Sequence, residues 1–524
     1  MLLPTRSGRP VIVPASVALF VILLILSFFH EPIRQKAFGS SSRPDDYILK
    51  HDNAGANETL HLVLPATKGG VDLCKTILTG AILGYPTPTL IAWNSTFENE
   101  GTIPLQCGLL GGGSHVAKIT GVLEWLNALA PSAENDLVLM MDAYDIWFQL
   151  PPEVMISRFH MINAKADKRL ASRLGKAYDA ENIRQKIIFA AGKRCAPNQF
   201  HTIACYPVPE SPLPDDLYGT HTDTIIGWSR HTSLKQRYLN SGYIMGRAKD
   251  MKLLFQRAME KVENRNDHDS WDNGSGQSDF MYHGSDQSIF SIIFGEQEYQ
   301  REVMRRRHLS IKDKALGRGK PKTSQIEGTV ITDLLNPDFI HEPGEWKIGK
   351  VDEFGIGLDY YSDLGQQTVN THDEFKYLKY NEDLMDQIRD GPNHIFNCKP
   401  RVTGQLPQDI LGIAPPLEDE TSWEGLPLLT NFCLNTIPVM IHHNGDKGAR
   451  AWQWPMTWMQ PQARKMLEGV LNKTDNTGQL GQPTGGVYLP AGEHMTWQEM
   501  CPVDYEFELF RDVPEPEKPP PPMR

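Results

Sequence analysis

Leu137-Val-Leu-Met-Met141, followed at once by Asp142-Ala-Tyr-Asp145, is the stretch that decides how this chain is read. Five consecutive apolar residues of strand length, bounded by the polar turn Ser132 to Asp136, describe a central parallel strand buried on both faces. In an open α/β sheet, ligands collect at the carboxyl ends of the strands. Asp142 and Asp145 stand at such an end, three positions apart on a turn. Carboxylates are hard oxygen ligands suited to Mn²⁺ or Mg²⁺. The plainer reading is that both aspartates cap a following helix.

Reading outward, the preceding segments repeat an α/β rhythm. His61 to Thr67 reads as a first strand, Asp72 to Leu83 as a helix with Leu73, Ile77, Leu78 and Ile82 on one side, and Thr89 to Trp93 as a second strand. Gly111-Gly-Gly113 precedes an amphipathic helix from about Ser114 to Leu129. Downstream, Lys186 to Ala191 and Tyr243 to Met245 read as strands, Met251 to Val262 and Ser285 to Ile293 as helices, and Ile437 to Ile441 as a late strand. The pattern predicts an α/β fold with a Rossmann-like, mostly parallel sheet and helices on both faces. Stretches 262–285 and 311–350 break the rhythm and read as surface insertions. Arg305 to Arg307 and Lys312 to Lys322 read as exposed charge.

The first residues place this body. Val11 to Phe29 carries no charged side chain, and about 20 apolar residues span the ~30 Å core of a bilayer. Arg6 and Arg9 precede it, so the positive-inside bias leaves residues 1–10 in the cytosol. The expected organisation is a signal anchor over 11–29, a stem over 30–58, a lumenal domain over 59–510 and a Pro-rich tail over 511–524. A cleaved signal peptide is the alternative. The sequons at Asn57, Asn94, Asn273 and Asn472 agree with a lumenal body. Seven cysteines allow at most three bridges within the chain, and Cys195 with Cys205 is the best candidate pair. No cysteine pair has zinc spacing. A net charge of −12 without a basic face excludes a nucleic-acid binder.

Three more motifs carry chemistry. His442-His443-Asn444-Gly445 follows the late strand: an imidazole suits Mn²⁺ as a third protein ligand, Gly445 lets backbone approach a phosphate, and Lys447 and Arg450 could hold diphosphate oxygens. An ordinary polar turn is the alternative. Asn240-Ser241-Gly242, ahead of a short strand, offers hydrogen-bond groups where a sugar could approach, or is a plain turn. Asp286 could contact a sugar hydroxyl, act as a base, or cap the next helix.

Taken together and in this order, these segments resemble the glycosyltransferase domain of the lysyl hydroxylase/procollagen glycosyltransferase family and similar type II transferases of fungi. The resemblance covers about half the chain, from Leu60 to Arg307 and from Ile437 to Trp454. It implies a GT-A fold in which Asp142, Asp145 and His442 hold Mn²⁺ or Mg²⁺. Thr67 and Tyr144 would contact the nucleoside of a UDP-sugar, Gly445 would approach its diphosphate, and Asn240 and Asp286 would lie near the transferred sugar. The implied protein is a UDP-sugar-dependent hexosyltransferase of the Golgi or ER membrane, acting on a hydroxyl of a glycan or glycoprotein acceptor. The chain departs from the family at Ala196, where the family has an aromatic. Lys447 falls one place early, and Gly284-Ser285 replaces an acidic run that bears on the acceptor. A collagen hydroxylysine acceptor is therefore not implied, and no oxygenase iron set is present in the sequence. The rival readings are a non-catalytic lumenal carbohydrate-binding or scaffold protein on a transferase fold, and a metal-dependent hydrolase of phosphate or sugar esters.

Overall fold

The computed structural model of the chain describes residues 58–96, 114–198, 202–224, 231–264, 285–316, 324–326, 329–331, 353–417, 421–472 and 485–512, all within one unit spanning 51–524. The cytosolic tail, the anchor over 11–29, nearly all of the stem, Gly111 to Gly113, most of both insertions and the Pro-rich tail beyond Asp512 lie outside the described residues. Among the described residues, no helix is long and apolar enough to cross a membrane.

Eight strands form the main sheet: β1 (Leu60–Pro65), β2 (Thr89–Ile91), β3 (Leu137–Met141), β5 (Ile187–Gly192), β6 (Tyr238–Arg247), β7 (Ile356–Asp359), β12 (Val487–Tyr488) and β13 (His494–Met495). Their order across the sheet is β13-β12-β2-β1-β3-β6-β5-β7. Parallel pairing joins β12 to β2, β2 to β1, β1 to β3 and β5 to β7, while β6 runs antiparallel to both β3 and β5. A mostly parallel α/β sheet is therefore what forms. Every residue of β3 is buried, as its apolar run requires. Its partner on one side, however, is antiparallel, so β3 is a parallel strand only towards β1.

A second sheet has the order β8-β11-β4, from β4 (Ile146–Phe148), β8 (Gly365–Gln367) and β11 (Met440–His442). A third pairs β9 (Phe375–Leu378) with β10 (Leu428–Asn431). The strand expected over Ile437 to Ile441 begins three residues later, because Pro438 has no N–H to give a ladder.

The helices that matter for the site are α1 (Val71–Leu83), α2 (Ser114–Ala128), α3 (Pro152–Leu174), α4 (Ala248–Asn264), α5 (Asp286–Arg307), α6 (Ala449–Gln453) and α7 (Ala463–Leu471). Apolar spacing predicts an end to α5 at Ile293, where apolar residues give way to charge, yet the helix continues for several turns. Several of its charges are paired and buried, although Arg307 is exposed as expected: Arg301 bonds Glu298 and Glu353, and Glu296 takes Lys261 of α4. Arg305, expected to be exposed, lies against Glu302 with its side chain 15% exposed.

Six cysteines form three bridges: Cys74–Cys501, Cys195–Cys205 and Cys398–Cys433. The expected pair is among them, and Cys107 lies outside the described residues. Cys74–Cys501 joins α1 to residues 427 positions later. The same seam holds Lys75 Nζ at 2.5 Å from Glu508, and Trp454 Nε1 donates to the Leu509 carbonyl. Cross-linking so long a loop removes much entropy from the unfolded chain. Cys74→Ala/Cys501→Ala is expected to lower stability by about 2–5 kcal/mol, read as an earlier denaturant midpoint. An unchanged midpoint would mean that the seam's hydrogen bonds hold the end of the chain unaided.

Candidate metal centre

The Asp142 to Asp145 turn lies between β3, which ends in the main sheet, and β4, which opens the second. No helix follows directly, so neither aspartate is a helix cap. Helix α1 fixes the start of β4: Thr76 Oγ1 donates to the Ile146 carbonyl at 2.8 Å, and Thr79 Oγ1 accepts from the Phe148 amide at 3.2 Å. Strand β11 pairs antiparallel with β4, placing His442 opposite Ile146. The His443 amide then donates to the Asp145 carbonyl at 2.7 Å.

This register brings one ligand atom each of Asp142, Asp145 and His442 within 4.8 Å of one another. His442 Nε2 is 3.7 Å from an oxygen of each aspartate, too long for a hydrogen bond. Among the described residues, His442 Nδ1, His442 Nε2 and Asp145 Oδ1 are buried without hydrogen-bond partners. Buried polar atoms are rarely left so. Burial raises the Asp145 carboxyl above the ordinary carboxylate value; His442 and Arg450 oppose this and Asp142 adds to it. Two carboxylates and an imidazole brought this close, with Asp145 Oδ1 and the His442 nitrogens unpartnered, fit a divalent cation.

Gly242 makes room for the imidazole. A Cβ at this position would stand 2.0 Å from His442 Cε1 and 2.7 Å from Nδ1. The sequence predicts a turn at Asn240-Ser-Gly242 before a short strand; all three lie inside the ten-residue β6. The register with β5 jumps there, from Phe189–Ile244 to Ala190–Asn240, so residues 241–243 bulge out of the β5 ladder. A bulge beside a site re-aims side chains, which local propensity does not foresee. The Asp142 amide donates to the Gly242 carbonyl at 2.7 Å, tying the bulge to the turn.

The remaining expected residues fall in two groups. Tyr144 and Thr67 come together: the Tyr144 hydroxyl accepts from the Thr67 and Lys68 amides at 3.0 and 3.2 Å. Asn240 reaches Gln287 Oε1 at 2.7 Å, beside Asp286 at the first position of α5. Gln287 in turn donates to the Ala196 carbonyl, linking Asn240 to the loop closed by Cys195–Cys205. Gly445 packs close to the Thr368-Val369 backbone, where a Cβ would lie 3.3 Å from Val369 Cα. Lys447 stands on an exposed loop. Of the two cations expected beside the diphosphate, Arg450 is the one at the turn: its Nη1 donates to the Tyr144 carbonyl at 2.9 Å and to Asp72 at 2.6 Å. His443 lies against Trp147, with ring centroids 4.0 Å apart and planes inclined by 47°. Burial drives it well below the usual histidine value, so it is neutral.

One residue of this site goes unread in the sequence. Lys118, nearly buried on α2, donates to Asp142 Oδ1 at 2.6 Å and to Asp286 Oδ2 at 2.9 Å. Burial disfavours its charge, but the two carboxylates outweigh that and raise the ammonium above the ordinary lysine value. Burial works against the charge of Asp286 as well. Lys118, His115 and Ser241 prevail and hold that carboxyl below the ordinary carboxylate range. The signal is present all the same: Lys118 shares the buried stripe of α2 with Val122 and Leu126, a place where a lysine needs a partner.

Compared with models of known protein families, the chain finds no match, and no curated protein matches it.

Proposed function

We propose that this protein is a metal-dependent GT-A glycosyltransferase that moves a sugar from a UDP-sugar to a hydroxyl of a glycan or glycoprotein acceptor. The observation that carries this reading is the meeting of Asp142, Asp145 and His442 at the carboxyl end of β3, where Asp145 Oδ1 and both ring nitrogens of His442 are buried with no partner among the described residues. A divalent ion held there, Mn²⁺ or Mg²⁺, supplies positive charge to the diphosphate of the leaving nucleotide.

The chain's own groups account for the rest. Tyr144 pins the loop after β1 to the turn, so Thr67 and Tyr144 together form a wall for the nucleoside. Gly445 keeps the backbone after β11 low enough for the diphosphate to pass. Lys447, exposed on the adjoining loop, is long enough to swing onto its oxygens. Asn240 and Asp286 border the place of the transferred sugar. Because Lys118 and His115 hold Asp286 ionised, its part is to orient hydroxyls and Lys118 rather than to cycle a proton.

The secretory-pathway side of the proposal is supported by the three disulfides, which belong to oxidising compartments. With the uncharged run at 11–29, they favour a single-pass type II protein of the Golgi or ER with its catalytic domain in the lumen.

The test is calorimetric titration of the protein with UDP, with and without Mn²⁺, followed by UDP-release assays over a panel of UDP-sugars. Manganese-dependent UDP binding and slow UDP release from one sugar are expected, and that sugar names the donor. Absence of UDP binding under both conditions would replace the enzyme with a carbohydrate-binding or scaffold protein on the same fold.

A further inference from the structure

We propose that Lys118 is a built-in rival of the divalent ion for Asp142, so that the centre holds its ion firmly only together with a nucleoside diphosphate. The proposal rests on the metal-centre reading above and adds a reason for ordered, mutually dependent binding.

The geometry is specific. Asp142 presents Oδ1 to the Lys118 ammonium at 2.6 Å, and its Oδ2 lies 3.7 Å from His442 Nε2. One carboxylate is thus shared between a fixed internal cation and the place of an exchangeable one. Lys118 cannot easily leave, because Asp286, itself buried and with His115 Nδ1 at 3.4 Å, holds the ammonium from the other side at 2.9 Å.

The balance of charge sets the order of binding. Asp142, Asp145 and Asp286 bring three negative charges to the cluster, and Lys118 cancels one of them. Arg450 holds the turn through Nη1, which donates to Asp72 at 2.6 Å and to the Tyr144 carbonyl at 2.9 Å. A divalent ion entering alone therefore meets a ligand oxygen pair already shared with an ammonium, and two cations on one carboxylate repel. A diphosphate supplies the negative charge that Lys118 has cancelled, so ion and nucleotide each improve the other's binding. By linkage the improvement is the same factor in both directions.

The same pair explains the burial of a lysine and an aspartate on two different helices. Removing Lys118 alone would leave buried Asp286 to His115 and Ser241, and removing Asp286 alone would leave the ammonium to Asp142, whereas removing both leaves a neutral contact between α2 and α5.

The experiment is a Mn²⁺ titration of the full chain, following free Mn²⁺ by electron paramagnetic resonance, with and without saturating UDP. It compares the unmodified protein, Lys118→Met and Lys118→Met/Asp286→Asn. The double variant removes charge and counter-charge together and so guards against simple unfolding. With the ammonium gone, nucleotide-free Mn²⁺ affinity is expected to rise roughly tenfold or more, and the enhancement by UDP to shrink by the same factor. The double variant should move in the same direction. Nucleotide-free affinity that is unchanged or weaker in both variants would overturn the proposal and leave Lys118 as a structural tie. If the unmodified protein takes up no Mn²⁺ even with UDP, the metal-centre reading itself falls, and this proposal with it.

Discussion

Asp145→Ala is expected to abolish manganese-dependent UDP binding and to reduce turnover by about a thousandfold or more, the equivalent of several kcal/mol of charge stabilisation. The protein should nevertheless fold as before. The side chain of Asp145 makes no hydrogen bond through its buried Oδ1, so truncation strands no partner. What Asp145 gives the fold comes from its backbone, whose carbonyl accepts from the His443 amide and survives the change. Removing a carboxylate that burial and Asp142 already disfavour also relieves repulsion within the turn. Melting temperature and circular dichroism check the fold, and Mn²⁺ titration with UDP checks the site. Full activity in a well-folded Asp145→Ala protein would remove this residue from the metal centre.

Gly242→Ala tests the centre from behind, without touching a ligand. Its backbone is outside the left-handed region, so the cost is steric alone. The added methyl would stand 2.0 Å from His442 Cε1, closer than any real contact, and the imidazole must move. A ring with its side chain only 2% exposed has little room to move into. Overpacking of this kind costs about 1–3 kcal/mol, and displacing a ligand by way of its support lowers metal affinity by about 10–100-fold. The pairing with His442 can be isolated. In His442→Ala/Gly242→Ala the methyl occupies space that the ring has vacated, so stability should return towards that of His442→Ala while metal binding stays lost. That non-additivity is the signature of two side chains competing for one volume. Mn²⁺ binding in Gly242→Ala as tight as in the unmodified protein would show that the position of the His442 ring is immaterial.

Much of the core of this architecture can be read from the chain. Leu137 to Met141 is apolar at every position because both faces of β3 are covered, and such a run admits few other readings. The aspartate turn and His442 are legible for a related reason: polar residues stand at the carboxyl ends of apolar strands, where an α/β sheet exposes its strand ends. Strand direction is not legible. Side-chain alternation is the same in parallel and antiparallel pairs, so nothing in Tyr238 to Arg247 announces that β6 runs against its neighbours. Nor is the bulge at residues 241–243, which depends on register with β5 rather than on local propensity. Lys118 escapes because its meaning lies in two aspartates far along the chain. The charged second half of α5 escapes because Arg301 finds Glu353 only in the folded state. Two of the three disulfide pairings are beyond the sequence for the same combinatorial reason that always applies to cysteines.

The position of the aspartate turn, between the last residue of β3 and the first of β4, has a mechanical consequence. Asp142 directly follows a strand of the eight-stranded sheet, while His442 ends a strand of the three-stranded one, so an ion held in this centre would act as a rivet between two sheets. Whatever binds the folded form alone stabilises it in proportion to the logarithm of its concentration. The durability of this protein, its lifetime against proteolysis as much as its rate, would then record how much divalent metal its compartment holds.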